Sequence, residues 1–230
     1  MKKFFFFAAA LVAATTINAE TYDFSTYATE ADWVITGATK NASETKEDKL
    51  VYDIKADVEA VVSPKGVENI QFSIKNTKDK NKAFNINLGN SFEFGGKNGI
   101  IKLSGVQVGT SIKLVVAAKG KDDANFADAT NAYPKGAIAV STDLTCPAKN
   151  SEGADEKGYV WKTLEYQASS SNVEIKEFNG GYRISSLTIG GETAIDNTAV
   201  EAKATKYMEN GALVIVKNGV KYNALGAVIE

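Results

Sequence analysis

The amino-acid sequence predicts an all-β protein, an antiparallel β-sandwich or jelly roll with a C-terminal β-hairpin appendage. Three observations carry this. Apolar and polar residues alternate along most of the chain, the two-residue period of half-buried strands. The apolar runs are short and closely spaced, with Gly and Asn between them. No stretch sustains a convincing helical period.

Taken in order, the chain opens on Met1-Lys2-Lys3, a wholly apolar run over 4–14 and a small-residue exit ending at Ala19. This is the pattern of a secretory signal peptide over 1–19. The apolar run is far shorter than the ~20 residues that span hydrocarbon. No cysteine follows it for acylation, so the expectation is an exported protein placed in the periplasm, at the cell surface or outside the cell. With 19 of the 230 residues removed, 211 remain, and a chain of that size buries roughly 70% of its unfolded surface.

The sandwich is expected over 20–190. Residues 21–24, 33–36, 50–54 and 58–62 read as its first strands. "ENIQFSI" puts Ile70, Phe72 and Ile74 on one face, and "KAFNINL" does the same with Phe84, Ile86 and Leu88. Strands follow at 99–103, at "SIKLVVAA" with Ile112, Leu114 and Val116, and at 136–141, 159–168 and 172–178. "GYRISSLTIG" alternates through Tyr182, Ile184, Leu187 and Ile189 with one residue out of step, as at a β-bulge. Polar, acidic stretches at 119–135 and 149–157 read as long loops at the sandwich end. Residues 191–203 lack a period-two face and read as a linker to the tail at 204–230.

Composition excludes several chemistries. The chain has no histidine, hence no imidazole base and no His-ligated metal. Cys146 is alone, so stability has to come from the core rather than from an intrachain disulfide. Removing Lys2 and Lys3 from the 26 basic residues leaves 24 against 28 acidic ones, a net charge of −4, with Arg183 the single arginine. That balance argues against a nucleic-acid partner.

The tail, "NGALVIVKNGVKYNALGAVIE", carries Asn210-Gly211 and Asn218-Gly219 on either side of a strand-like run. Asn-Gly takes positive φ at both central positions of a type I′ turn, whose twist matches flanking strands. An isolated hairpin is marginal in water. This one is therefore expected to complete a small sheet or to dock on the sandwich, on another chain or on a receptor.

"TYDFSTYATEADW", "SFEFGGKNGIIKLSGVQVGTSIKLVVAAKG" and "WKTLEYQASSSNVEIKEFNGGYRISSLTIGG" together resemble a β-sandwich domain common in secreted proteins of Bacteroidetes. The resemblance covers roughly 21–191. It implies a carbohydrate-binding or adhesin-like role and transfers no catalytic residue. The tail is similar to short C-terminal extensions that themselves resemble sorting domains read by the type IX secretion machinery. Its pattern sets Asn210, Gly211, Asn218, Gly219, Tyr222, Leu225 and Gly226 at fixed offsets. What it implies is a partner in the outer-membrane secretion apparatus.

Aromatic planes stack on the apolar faces of sugars, and Trp33, Trp161, Tyr159, Tyr166 and Tyr133 are candidates. Trp33, inside "DWVIT", reads as core. Tyr133 and Phe126 fall in the 119–135 loop and are expected exposed, so the ligand-binding set is Phe126, Tyr133, Tyr159 and Trp161. Asp122, Asp123, Asn125 and Asp128 are oxygen donors suited to calcium, although their spacing is not that of an EF-hand. A solvated acidic loop is the competing reading, as it is for Asn150, Glu152, Asp155 and Glu156. Glycosidase chemistry needs two facing carboxylates, for which Glu165 with Glu174 or Glu177 are the candidates. No cofactor is expected. The functional expectation is a secreted, noncatalytic β-sandwich that binds glycans or serves at a surface. The alternatives are a glycan-active hydrolase and a purely structural surface protein.

Overall fold

The computed structural model describes residues 19–75, 81–96, 98–128, 130, 132–190, 205–209, 212–217, 220–223 and 228–229. The expected signal segment (1–18) and linker (191–203) lie outside them. So do the tail residues Asn210, Gly211, Asn218, Gly219, Leu225 and Gly226. The chain divides into two compact units, Met1–Thr193 and Ala194–Glu230.

The described residues are all-β, with two single-turn 3₁₀ segments, Phe24–Thr26 and Glu30–Asp32, and no α-helix. The first unit holds β1 (Glu20–Asp23), β2 (Trp33–Thr36), β3 (Thr39–Lys40), β4 (Lys49–Ile54), β5 (Glu59–Pro64) and β6 (Ile70–Lys75). It continues with β7 (Asn81–Asn87), β8 (Ser91–Phe94), β9 (Gly99–Ser104), β10 (Ser111–Ala118) and β11 (Ala124–Asn125). It ends with β12 (Ala137–Ala139), β13 (Thr145–Cys146), β14 (Lys162–Ala168), β15 (Asn172–Lys176) and β16 (Tyr182–Ile189).

A nine-stranded sheet runs β12-β14-β10-β16-β8-β7-β4-β3, with β1 also on β16. A five-stranded sheet runs β15-β9-β6-β5-β2, and β11 pairs with β13. The pairings among the described strands are antiparallel, for example Phe72 opposite Ile101 and Ile86 opposite Phe92. The apolar faces of the two large sheets meet in one core. Phe72 of the small sheet stacks on Phe92 of the large one with centroids 4.4 Å apart, and both are fully buried. Burying a side chain of this size contributes roughly 1.5–3 kcal/mol. Trp33 is 6% exposed and tilted against Phe92 at 5.7 Å, a core residue as read from its sequence context.

The bulge anticipated in "GYRISSLTIG" is present. Val115 faces Ser186 and Val116 faces Ile184, which leaves Ser185 as the extra residue. Residues 159–161 precede β14 rather than belonging to it, and β8 joins the predicted strands at the centre of the large sheet.

In the second unit, β17 (Thr205–Glu209), β18 (Ala212–Lys217), β19 (Val220–Asn223) and β20 (Val228–Ile229) form a four-stranded antiparallel sheet in that order. The expected hairpin is its central pair, with Ile215 opposite Tyr222. A strand is added on each side, where Met208 faces Leu213 and Tyr222 faces Val228.

Candidate ligand-binding surface

The segment leading into β14 is a loop that closes on itself. Asn150 N–H donates to the Gly158 carbonyl at 2.8 Å, and Asp155 N–H to that of Tyr159 at 2.9 Å. Asp155 then organises the aromatic end. Its Oδ1 accepts the backbone N–H of Lys157 at 2.9 Å and of Tyr159 at 2.8 Å, an Asx turn. Its Oδ2 accepts the Trp161 indole N–H at 2.9 Å. The Tyr159 N–H above all, then the indole and the Lys157 N–H, hold this carboxyl below the usual carboxylate range. Trp161 is half-buried, and its ring lies 6.1 Å from that of Tyr159.

Tyr159 was expected to meet a ligand, but it is only 6% exposed. Its ring lies over the Arg183 guanidinium, 4.0 Å from Cζ, and the Lys149 ammonium stands 4.7 Å from the ring centroid. Tyr159 therefore fastens the loop to the outer face of the large sheet. Beneath it a row of neighbouring strands places Ala117, Arg183, Glu93, Asn85 and Val51 side by side in register. Glu93 is 1% exposed, pairs with Lys119 at 2.9 Å and accepts from the Asn85 amide. Arg183 Nη2 lies 2.5 Å from Glu93 Oε2 as an ion-pair contact, and neither Oε2 nor Arg183 Nε has a hydrogen-bond partner among the described residues. Burial alone would raise the Glu93 carboxyl, but Lys119 and Arg183 outweigh it and hold the group below its ordinary value.

Phe126 corrects a second expectation. Although it belongs to the 119–135 loop, it is fully buried, donates its N–H to the Leu144 carbonyl at 3.0 Å and meets Tyr182 edge-on at 5.0 Å. Its loop folds over the end of the core, so Phe126 is no ligand contact. Tyr133, in the same loop, is half-buried and stands elsewhere, beside the outer face of the five-stranded sheet. Lys135 and Lys176 place their ammonium groups 4.7 and 4.4 Å from its ring centroid. Its hydroxyl lies 3.5 Å from Glu174 Oε2.

Three of the four oxygen donors proposed for calcium are occupied by backbone N–H groups. Asp123 accepts the Ala148 N–H at 2.7 Å, Asn125 that of Ala127 at 2.9 Å, and Asp128, 5% exposed, that of Thr130 at 2.9 Å. Asp122 is exposed. Among the described residues no three Asp, Glu, Cys or His side chains gather as a cation site, so these four do not form the calcium cluster their spacing allowed.

The carboxylates considered for glycosidase chemistry are likewise kept apart. Glu165 stands on the outer face of the large sheet, paired with Lys113 at 3.1 Å. Glu174 stands on the outer face of the small sheet, 3.6 Å from Lys135. Glu177 is fully buried. Its carboxylate accepts the N–H groups of Asn179 at 2.7 Å, Gly180 at 2.5 Å and Asn125 at 3.4 Å. Burial nevertheless pushes its carboxyl above the ordinary range.

Of the aromatic candidates, only Tyr159 and Trp161 come together. The lysines that accompany the tyrosines, and the Glu93–Arg183 pair, were not singled out from the sequence. The one available signal was that Arg183 is the chain's single arginine. Comparison with protein-family models gives no match, and no curated protein matches the chain.

Proposed function

We propose that this is an exported, noncatalytic β-sandwich protein that binds glycans, with Trp161 as the stacking platform. The observation that carries the reading is the bond from the Trp161 indole N–H to Asp155, which fixes a half-buried ring at the rim of the large sheet's outer face. A sugar's C–H face packs on an indole plane while its hydroxyls remain available for hydrogen bonds. A ring immobilised before binding loses little further freedom when the sugar arrives, so more of the contact energy appears as affinity. Tyr159, seated on Arg183, keeps the loop in place. The residue-level resemblance to secreted carbohydrate-binding sandwiches supports the same reading, and the leader over 1–19 supports export.

The test is a glycan array on the mature protein, followed by titration of whichever glycans bind. Trp161→Ala is expected to lower affinity roughly tenfold, about 1.4 kcal/mol, without lowering Tm. Asp155→Ala should produce a smaller loss through the same ring. Undiminished binding by Trp161→Ala would remove the platform, and silence across plant, host and microbial glycans would remove the function.

A further inference from the structure

We infer that the cluster of Tyr133, Lys135, Glu174 and Lys176 is an anion subsite, so that the glycan bound is an acidic polysaccharide carrying uronate carboxylates or sulfates. This rests on the glycan-binding reading and narrows its ligand class. Lys135 and Lys176 hold two ammonium groups within 4.7 Å of one phenol centroid. Like charges repel, and the negative face of the aromatic ring is what holds both. Because those ammonium groups cover Tyr133, the residue acts as a holder of cations and not as a stacking plane.

The charge at this patch is incompletely neutralised. Glu174 lies 3.6 Å from Lys135, whereas Lys176 makes no ion pair among the described residues. Lys102, opposite Glu174 on the next strand, is already paired with Glu59 at 2.8 Å. Lys75 stands opposite Glu59 on the same face, so four lysines accompany Glu59 and Glu174 on this side of the small sheet. Lys135 keeps half of its side chain exposed, at 51%. Arg183, by contrast, is 11% exposed and committed to Glu93. Lysine ammonium groups bind carboxylate and sulfate as point charges with freely rotating donors. A polymer acid supplies the missing negative charge at this face, which is separate from the one that carries Trp161.

The experiment compares matched polymer pairs on the full mature protein: polygalacturonate with its methyl ester, and chondroitin sulfate with its desulfated, methyl-esterified form. The expected result is that the acidic member of at least one pair binds about tenfold more tightly at low salt, with the advantage shrinking as salt screens it. Lys135→Ala/Lys176→Ala should erase that advantage, and Lys135→Arg/Lys176→Arg should keep it. Equal affinity for both members of every pair, or an acid preference that survives the double alanine variant, would overturn the inference. If neutral polymers still bind in a Trp161-dependent way in that case, the glycan reading stands alone. No binding in either pair or on the neutral array would overturn both.

Discussion

Arg183, the chain's single arginine, keeps only 11% of its side chain exposed. It sits on the outer face of a sheet, a position that alternation assigns to solvent, yet Tyr159 lies over its guanidinium and Glu93 beside it. Removing one partner of a buried pair leaves an uncompensated charge. Arg183→Met is therefore expected to lower unfolding stability by about 3–5 kcal/mol, and the Arg183→Met/Glu93→Gln double variant to recover part of that loss in urea titration. The pH dependence follows from the same contacts. Lys119 and Arg183 depress the folded-state carboxyl of Glu93 despite its burial. Its contribution is thus present above the unfolded value of about 4.3 and lost as pH falls through the lower folded value. Glu93→Gln should flatten the acid limb of a Tm-against-pH series. Glu177 carries the opposite sign: burial raises its folded-state carboxyl, so its contribution is present below the unfolded value and fades as pH rises through the folded one. An acid limb identical in wild type and Glu93→Gln would contradict this assignment.

Strands were legible where one face is wet and one dry. β9 alternates cleanly, β6 does so except at the covered outward Ser73, and β15 puts Val173 and Ile175 inward with Glu174 and Lys176 outward. The same parity carries Glu177 inward, so Glu174 and Glu177 share no face, a conclusion the spacing already contained. β8 was not legible because all four of its residues are buried, Phe92 and Phe94 in the core and Ser91 and Glu93 on the covered outer face. Phe126 was misread for a related reason, since a loop that folds over a core has no period to announce it. The packing of β8 against β9 makes a further prediction. A Cβ added to Gly99 at the start of β9 would lie 2.0 Å from Cδ1 of the fully buried Phe94 ring. Gly99→Ala should destabilise by roughly 1–3 kcal/mol through overpacking, whereas Gly105→Ala, with nothing near its added Cβ, tests the effect of positive φ alone. A Gly99→Ala protein with wild-type Tm would mean that the ring can shift.

At the scale of the whole chain the two units have separate internal accounts. The described core cluster and the side chains packed on it extend from Tyr22 to Ile189, all within the first unit. The four strands of the second pair with one another in a single sheet. The sequence disclosed the centre of that sheet through its Asn-Gly dipeptides, while β17 and β20, which lack such punctuation on their outer sides, were not recognised as strands. A sheet of four strands has more of its backbone hydrogen-bonded than an isolated hairpin does, which favours a tail that folds as a unit. If that unit serves as an address, ending the chain at Thr193 should leave the sandwich's Tm and the proposed Trp161-dependent glycan binding unchanged. The protein's distribution between periplasm, cell surface and medium should then shift toward the periplasm. A fall in Tm with unchanged distribution would make the tail a stabilising part of the fold and would rule out the sorting role that its resemblance implies.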